Sequence, residues 1–202
     1  MNIKNDIDNE TCNFTNDASI NIQRFEQKNN WMTEKEKITS NSYIDVTNYW
    51  IENVNPNSHE ILDAKYFVFK EKKYKVDGKN VVIDYSKKEK EVAEWLESTF
   101  GGELYMLPRI NYPEGIKTAD YLFRGEYWDL KDINGKSKQT LYHAIYRKNT
   151  QSNNFIFNIV SEELSIDELQ EQIYKLYNRK DTSFLKKVIL KKENDIFIYK
   201  RK

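Results

Sequence analysis

Residues 86–202 alternate between helical and strand-like hydrophobic periodicity, and this alternation restricts the possible folds more than any other feature. Ser86 followed by Glu89 is a capping-box pattern that predicts a helix over KKEKEVAEWLESTF, and Gly101-Gly102 predicts the end of that helix. Two more helices are predicted over SKQTLYHAIYRKN and SIDELQEQIYKLYN. The predicted strands are ELYMLPRI, ADYLF, EYWDLKDI, NNFIFNIV, FLKKVIL and DIFIYKR. The order α-β-β-β-α-β-α-β-β predicts an α/β or α+β domain, with a mixed central sheet flanked by helices.

The N-terminal part of the chain has a different composition. Residues 1–40 hold 8 Asn, 7 acids and 5 bases with few clustered hydrophobic residues, which is typical of a polar, extended arm. We therefore predict two regions: residues 1–65 as an arm or small delivery or interaction region, partly disordered, and residues 66–202 as the main domain. At the start of that domain, KYFVFKEKKYKV and NVVIDY flank Asp77-Gly78, a pair that predicts a hairpin turn.

Composition and charge exclude several classes of protein. The single cysteine, Cys12, excludes a disulfide framework and a cysteine-rich zinc site. No apolar run is long enough to span a membrane, and the first 15 residues lack the apolar core of a secretory signal. We therefore expect a protein that acts in the cytoplasm or is exported by another machine. Lys+Arg and Asp+Glu are both 32, so any nucleic-acid-binding surface must be local.

Two aspartates and a lysine form the candidate chemical site. Because side chains alternate along a strand, Asp129 and Lys131 of EYWDLKDI lie on one face, and a hairpin brings Asp120 of the preceding strand beside Asp129. Two converging carboxylates are costly to bury without a cation. Oxygen ligands are those that Mg²⁺ prefers, and Mn²⁺ is an alternative. The backbone carbonyl of Leu130 is a further candidate ligand. We expect Lys131 either to orient the metal-bound water or to neutralise developing negative charge.

A helix glutamate is the candidate third carboxylate. Glu89 lies on the same arc of its helix as the apolar residues, whereas Glu91 and Glu94 fall toward the polar side. Glu89 is either a capping-box partner of Ser86 or a metal ligand that reaches into the site. The pattern alone leaves the choice between these roles, and among the three glutamates, open.

The Asp120…Asp129-Leu130-Lys131 pattern resembles that of the PD-(D/E)XK nuclease superfamily. From about Val76 to the C-terminus, the chain also resembles the C-terminal tRNA nuclease domains of contact-dependent growth inhibition toxins. The motifs that carry this resemblance are DYSKKEKEVAEWL, FGGELYMLPR, IKTADY, WDLK and QSNNFIF. Ala119 stands where the superfamily name has proline, a difference that affects the turn more than the chemistry.

The resemblance implies a restriction-endonuclease-like core and a metal-dependent ribonuclease. By it, Asp120, Asp129 and Lys131 are catalytic, and Glu89 matches the helix glutamate of resolvase-like members. It implies RNA, specifically tRNA, as the substrate, a toxin-type role and an inhibitory immunity protein as a partner. It says nothing of residues 1–65, where a structural partner can bind. The initial Met and the length of 202 residues favour a free-standing cassette or the cargo of a phage or mobile element.

Three residues near these motifs are candidates for substrate binding. Lys117 and Thr118 precede Asp120, so they can contact a phosphate, although a plain loop is the simpler interpretation. Gln151 precedes a buried strand and can reach toward the site, although a self-satisfied polar turn is the default for such a segment.

Other function classes remain open at this stage. A metal-free ribonuclease needs histidine or glutamate as acid and base, and His143 is the one histidine in the nuclease-like region. A non-catalytic structural or ejected protein of a phage or mobile element, which binds nucleic acid through a nuclease-like domain, is the main alternative. DNA in place of RNA is also compatible with the residues.

Overall fold

The structure is a computed structural model that describes residues 41–202, except for the side chains of residues 56–59. The helices are α1 Thr47–Glu52, α2 Lys87–Phe100, α3 Thr140–Ile145 and α4 Ile166–Asn178. The strands are β1 Tyr43–Asp45, β2 Asn55–Asp63, β3 Tyr66–Phe69, β4 Lys72–Lys75, β5 Val81–Val82, β6 Gly101–Met106, β7 Arg109–Ile110, β8 Tyr121–Phe123, β9 Glu126–Ile133, β10 Asn154–Ile159, β11 Lys187–Lys192 and β12 Asp195–Arg201. None of the helices in residues 41–202 combines the length and apolarity that a membrane span requires.

Eight strands form one mixed sheet in the order β1-β12-β11-β10-β9-β8-β6-β2. β9, β10 and β11 are parallel, and so are β2 and β6, whereas the remaining neighbours are antiparallel. Two smaller sheets pair β3 with β4 and β5 with β7. The prediction of a mixed central sheet flanked by helices is confirmed.

Strand β9 shows how alternation divides the core between the two faces of the sheet. Trp128 is fully buried in a cluster with Leu96 and Phe100 of α2. Ile133 belongs to a separate cluster with Leu141 of α3 and Ile173 of α4. Helices on opposite faces therefore hold this strand in place, since burial of each large side chain contributes about 1.5–3 kcal/mol.

Local sequence signals fix both ends of α2. The Ser86 hydroxyl accepts from the Glu89 N–H at 3.1 Å, and the Glu89 carboxylate accepts from the Ser86 N–H, so the capping box is present. The helix ends at Gly101, whose φ is +62°. A Cβ at this position would lie 1.9 Å from the Asn55 carbonyl oxygen, so strand β2 approaches too closely for any side chain.

The predicted hairpin turn at Asp77-Gly78 is wrong. The hairpin turns earlier, at Lys70 and Glu71, where φ is +47° and +65°, and joins β3 to β4. The Asp77 carboxylate instead accepts from the N–H groups of Lys79, Asn80 and Val81, as an Asx-type loop does. The following strand, β5, pairs with β7.

Residues 41–65, which the sequence analysis placed in the N-terminal region, contribute α1 and two strands of the large sheet. β1 pairs with β12, and β2 pairs with β6. This part of the chain belongs to one unit, Ser40–Lys202. The predicted polar arm of residues 1–40 lies outside the described residues.

Candidate active site

Strands β8 and β9 stop pairing at Asp120. Tyr121 pairs with Trp128, and the Asp120 N–H donates to the Trp128 carbonyl at 3.0 Å. Two residues after Trp128 along β9, the Leu130 N–H donates to Asp120 Oδ2 at 2.6 Å. The Asp120 side chain thus takes the place of a backbone partner, and the antiparallel register puts it beside Asp129.

Asp129 is fully buried, although it carries a carboxylate. Its Oδ2 forms an ion pair with Lys131 Nζ, and Oδ1 has no hydrogen-bond donor in the part of the chain that the structure describes. Pairing with β10 aligns Asp129 with Phe155 and Lys131 with Phe157, which fixes the backbone of both residues. A buried carboxylate oxygen without a donor is costly, so this oxygen is an open ligand position.

Glu89 performs its capping role and also faces the two aspartates. Its carboxylate accepts from the Ser86 N–H and from Arg109 Nη2 at 3.0 Å, and it lies within hydrogen-bonding reach of the Asp120 carboxyl. The Tyr121 hydroxyl donates to the Glu89 carbonyl at 2.8 Å and so ties α2 to β8. The capping role is therefore present, and the role of Glu89 as a metal ligand stays a prediction.

The other helix glutamates point away from this cluster. Glu91 is exposed and forms an ion pair with Lys87 at 3.5 Å, and Glu94 is exposed. Of the three glutamates considered, only Glu89 lies beside the aspartates. We call Glu89, Asp120, Asp129 and Lys131 the carboxylate cluster.

The three carboxyl groups of the cluster differ in proton affinity. Burial, followed by the neighbouring charge of Asp129, raises the pKa of Asp120 to about 8, although the Leu130 N–H and Lys131 oppose this shift. Burial also raises the pKa of Asp129, against the opposing effect of the Lys131 ammonium. Burial favours a higher pKa for Glu89, but the hydrogen bonds from Ser86 and the Arg109 guanidinium have the larger effect. The pKa of Glu89 is therefore lowered.

The cluster is accessible from the protein surface on the side of Asp120. A small pocket is lined by Asp84, Tyr85, Glu89, Arg109, Thr118 and Asp120. The side chains of Asp84 and Arg109 at its rim are 71% and 49% exposed. Asp129 is buried and is not among the residues that line this pocket.

The donor chemistry fits a hard divalent cation held by Asp120 and Asp129. Within the described part of the chain, no group of three His, Cys, Asp or Glu side chains is arranged to hold a metal by itself. The Leu130 carbonyl leaves the strand on the same side as its N–H, toward Asp120, and is a further oxygen donor. Mg²⁺ commonly uses one or two carboxylates and keeps several waters, so this set suits it.

The predicted substrate-binding residues lie at one edge of the cluster. Gln151 Nε2 donates to the Thr118 carbonyl at 3.1 Å, which links the segment before β10 to the segment before Asp120. The Gln151 Oε1 atom is buried and has no donor among the described residues. Lys117 is exposed. Their assignment to substrate binding stays a prediction.

Two cations next to the cluster were missed by the sequence analysis. Arg109 pairs with Glu89, and the Lys148 ammonium partly opposes the burial that raises the pKa of Asp129. Arg109 follows Leu107-Pro108 after β6, and Lys148 follows the end of α3. Neither has a local sequence signal, because each reaches the cluster only through the tertiary fold.

Comparison with known proteins gives one family and one solved structure. No curated protein matches the chain. The CdiA-CT/CdiI toxin and immunity complex from Burkholderia pseudomallei is similar, with a TM-score of 0.40 and 16% identity over 70% of this chain and 99% of that chain. Residues 117–196, which include Asp120, Asp129 and Lys131, match the model of the contact-dependent growth inhibition CdiA C-terminal domain family.

Proposed function

We propose that the chain is a metal-dependent endonuclease that hydrolyses phosphodiester bonds of RNA. The observation that carries this proposal is the fully buried Asp129, which lies beside Asp120 and Lys131 at the point where two strands separate. Its Oδ1 has no hydrogen-bond partner among residues 41–202 as the structure describes them. The PD-(D/E)XK assignment belongs to the same proposal, because that superfamily uses two acids and a lysine in this pattern. Ala119, which replaces the proline, is buried and packs in the core next to the site.

In this mechanism, Asp120 and Asp129 hold the cation and Leu130 supplies a carbonyl oxygen. A divalent cation there supplies Lewis-acid chemistry, since it polarises the phosphoryl group and makes water more acidic. The Leu130 N–H fixes the Asp120 carboxylate at 2.6 Å. Lys131 stabilises the negative charge that develops on the phosphoryl oxygens, and its low exposure of 20% strengthens this interaction. Glu89 holds the edge of the site through Ser86 and Arg109.

The biological role that we propose is that of a toxin effector acting on tRNA. The family match over residues 117–196 supports a link with contact-dependent growth inhibition. The motif resemblance supports tRNA as the class of RNA. A cognate immunity protein that blocks the site is part of this proposal, and so is action in the cytoplasm of a target cell after delivery by another protein.

Incubation of the purified protein with total RNA and with duplex DNA, with Mg²⁺, with Mn²⁺ or with EDTA, tests the proposal. We expect cleavage of RNA with either cation and none in EDTA. Asp129→Asn removes a proposed ligand and should reduce cleavage at least ~10³-fold, whereas the matched control Asp167→Asn, an exposed aspartate in α4, should retain full activity. Full RNA cleavage in EDTA contradicts the proposal, and so does full activity of Asp129→Asn.

A further inference from the structure

The β3–β4 hairpin concentrates positive charge on a chain that has no net charge. Residues 65–79 contain six lysines and two acids. All six lysines are exposed, and none forms an ion pair with a carboxylate of the described residues. The lysines are Lys65, Lys70, Lys72, Lys73, Lys75 and Lys79. We call residues 65–79 the basic hairpin.

The two acids of the basic hairpin offset two of its six positive charges. The Asp77 carboxylate is engaged by three backbone N–H groups and so serves to fold its own loop. These hydrogen bonds lower the pKa of Asp77 to about 2. Glu71 lies in the exposed turn. Six lysines and two acids leave the basic hairpin with an excess of four positive charges.

One face of the basic hairpin packs on the domain and the other is exposed. Phe67 is buried, with Tyr74 opposite it. On the outer face, Tyr66 pairs with Lys75 and Val68 pairs with Lys73, and all four side chains are exposed. Lys73 Nζ lies 3.5 Å from the centre of the Tyr66 ring, so an aromatic surface positions this ammonium group.

The basic hairpin shares its structural support with the carboxylate cluster. Phe67 packs in a core cluster that includes Ala119, the residue before Asp120. The Phe67 ring centre also lies 5.4 Å from that of Tyr127, two residues before Asp129. The basic hairpin and the strands that carry Asp120 and Asp129 are therefore packed together through Phe67.

On the basis of the proposed function, we infer that the basic hairpin binds the phosphate backbone of the RNA substrate. The exposed ammonium groups match the charge of consecutive phosphates, and Tyr66 offers a surface on which ribose or a base can pack. These contacts position the RNA without reading its sequence. An acidic protein partner is the competing occupant of this surface.

Binding of fluorescently labelled total tRNA, measured by anisotropy in EDTA over a range of salt concentrations, tests this inference. The test variant is Lys72→Gln/Lys73→Gln/Lys75→Gln. The matched control, Lys138→Gln/Lys180→Gln/Lys200→Gln, removes the same charge from exposed positions outside the basic hairpin. Each phosphate contact contributes about 0.7–0.9 to the slope of log affinity against log salt. We expect this slope to be smaller by about 2 in the test variant, and the affinity of that variant for tRNA to be at least ~10-fold weaker. Both quantities should change little in the control.

An equal loss of tRNA affinity in the test variant and in the control overturns the inference, because the effect would then come from the total charge of the chain. Unchanged tRNA binding by the test variant also overturns it, and loss of polyglutamate binding in that case would identify an acidic protein as the occupant. Thermal unfolding checks that both variants fold, and the single variant Lys75→Glu provides a second test. Binding through the basic hairpin without any cleavage in Mg²⁺ would contradict the proposed function alone.

Discussion

Asp120 is the residue whose protonation most affects the cluster, because it lies between two other carboxyl groups. Its pKa is raised from 3.8 to about 8, so the folded protein without metal keeps a proton that the unfolded chain has already lost. Between these two pH values, the folded state binds more protons than the unfolded state. The free energy of unfolding therefore falls as pH rises through this interval.

The substitution Asp120→Asn tests this proton linkage. Asparagine retains an acceptor for the Leu130 N–H but carries no charge at any pH. We expect the wild type in EDTA to lose roughly 3–4 kcal/mol more stability than Asp120→Asn between pH 5 and pH 8. The folded and unfolded states differ by nearly one proton over almost three pH units, and each unit corresponds to about 1.4 kcal/mol. Urea unfolding at several pH values measures both curves. Parallel curves would contradict the raised pKa of Asp120.

At the scale of elements, the junction of α2 and β6 depends on Gly101. Both a positive φ and contact with the Asn55 carbonyl exclude a side chain at this position. Gly78 has a similar φ of +74°, but no atom lies within 4 Å of a Cβ built there. The two glycines therefore differ in crowding and share the same backbone requirement.

The pair Gly101→Ala and Gly78→Ala separates these two effects. We expect Gly78→Ala to lower the free energy of unfolding by about 1 kcal/mol, which is the cost of a positive φ for a residue with a side chain. Gly101→Ala should cost about 3–4 kcal/mol, because β2 must also move away. Denaturant unfolding measures both values, and equal costs would show that crowding by Asn55 is absent.

The β3–β4 turn offers a stabilising substitution within one element. Lys70 and Glu71 both have positive φ, although neither is a residue type that favours this conformation. We expect Glu71→Gly to stabilise the protein by about 0.5–1 kcal/mol, since glycine adopts positive φ without strain. Thermal unfolding measures the change, with the exposed helix substitution Glu94→Gln as a control for the lost charge. A lower melting temperature than the control would contradict the expectation.

The sequence predicted those elements whose signals are local. β9 and β12 follow the predicted segments EYWDLKDI and DIFIYKR, and the predicted capping box of Ser86 and Glu89 is present. The hairpin turn was misplaced because Asp77-Gly78 is a strong turn signal, whereas the lysine and glutamate of the real turn carry none. Asp120 and Asp129 come together because side chains alternate along each strand and a short turn joins β8 to β9. The partners Arg109 and Lys148 arise from the tertiary fold and leave no periodic signal.

At the scale of the whole molecule, acidic and basic side chains collect in different regions, although the net charge of the chain is zero. Carboxyl groups converge where β8 and β9 separate, and lysines collect on the adjacent hairpin. If the cluster holds a cation and the basic hairpin binds RNA, as we propose, this partition of charge suits phosphodiester hydrolysis. Both features lie in residues 41–202.

Titration of the purified chain with Mn²⁺, followed by electron paramagnetic resonance of the free ion, tests most directly whether the aspartates hold a cation. We predict that the wild type at pH 8 binds one ion per chain at the cluster. Asp120→Asn and Asp129→Asn should each weaken this binding at least ~10-fold, whereas Asp167→Asn should leave it unchanged. Equal Mn²⁺ binding by the wild type and by the Asp120→Asn/Asp129→Asn double variant would contradict the account.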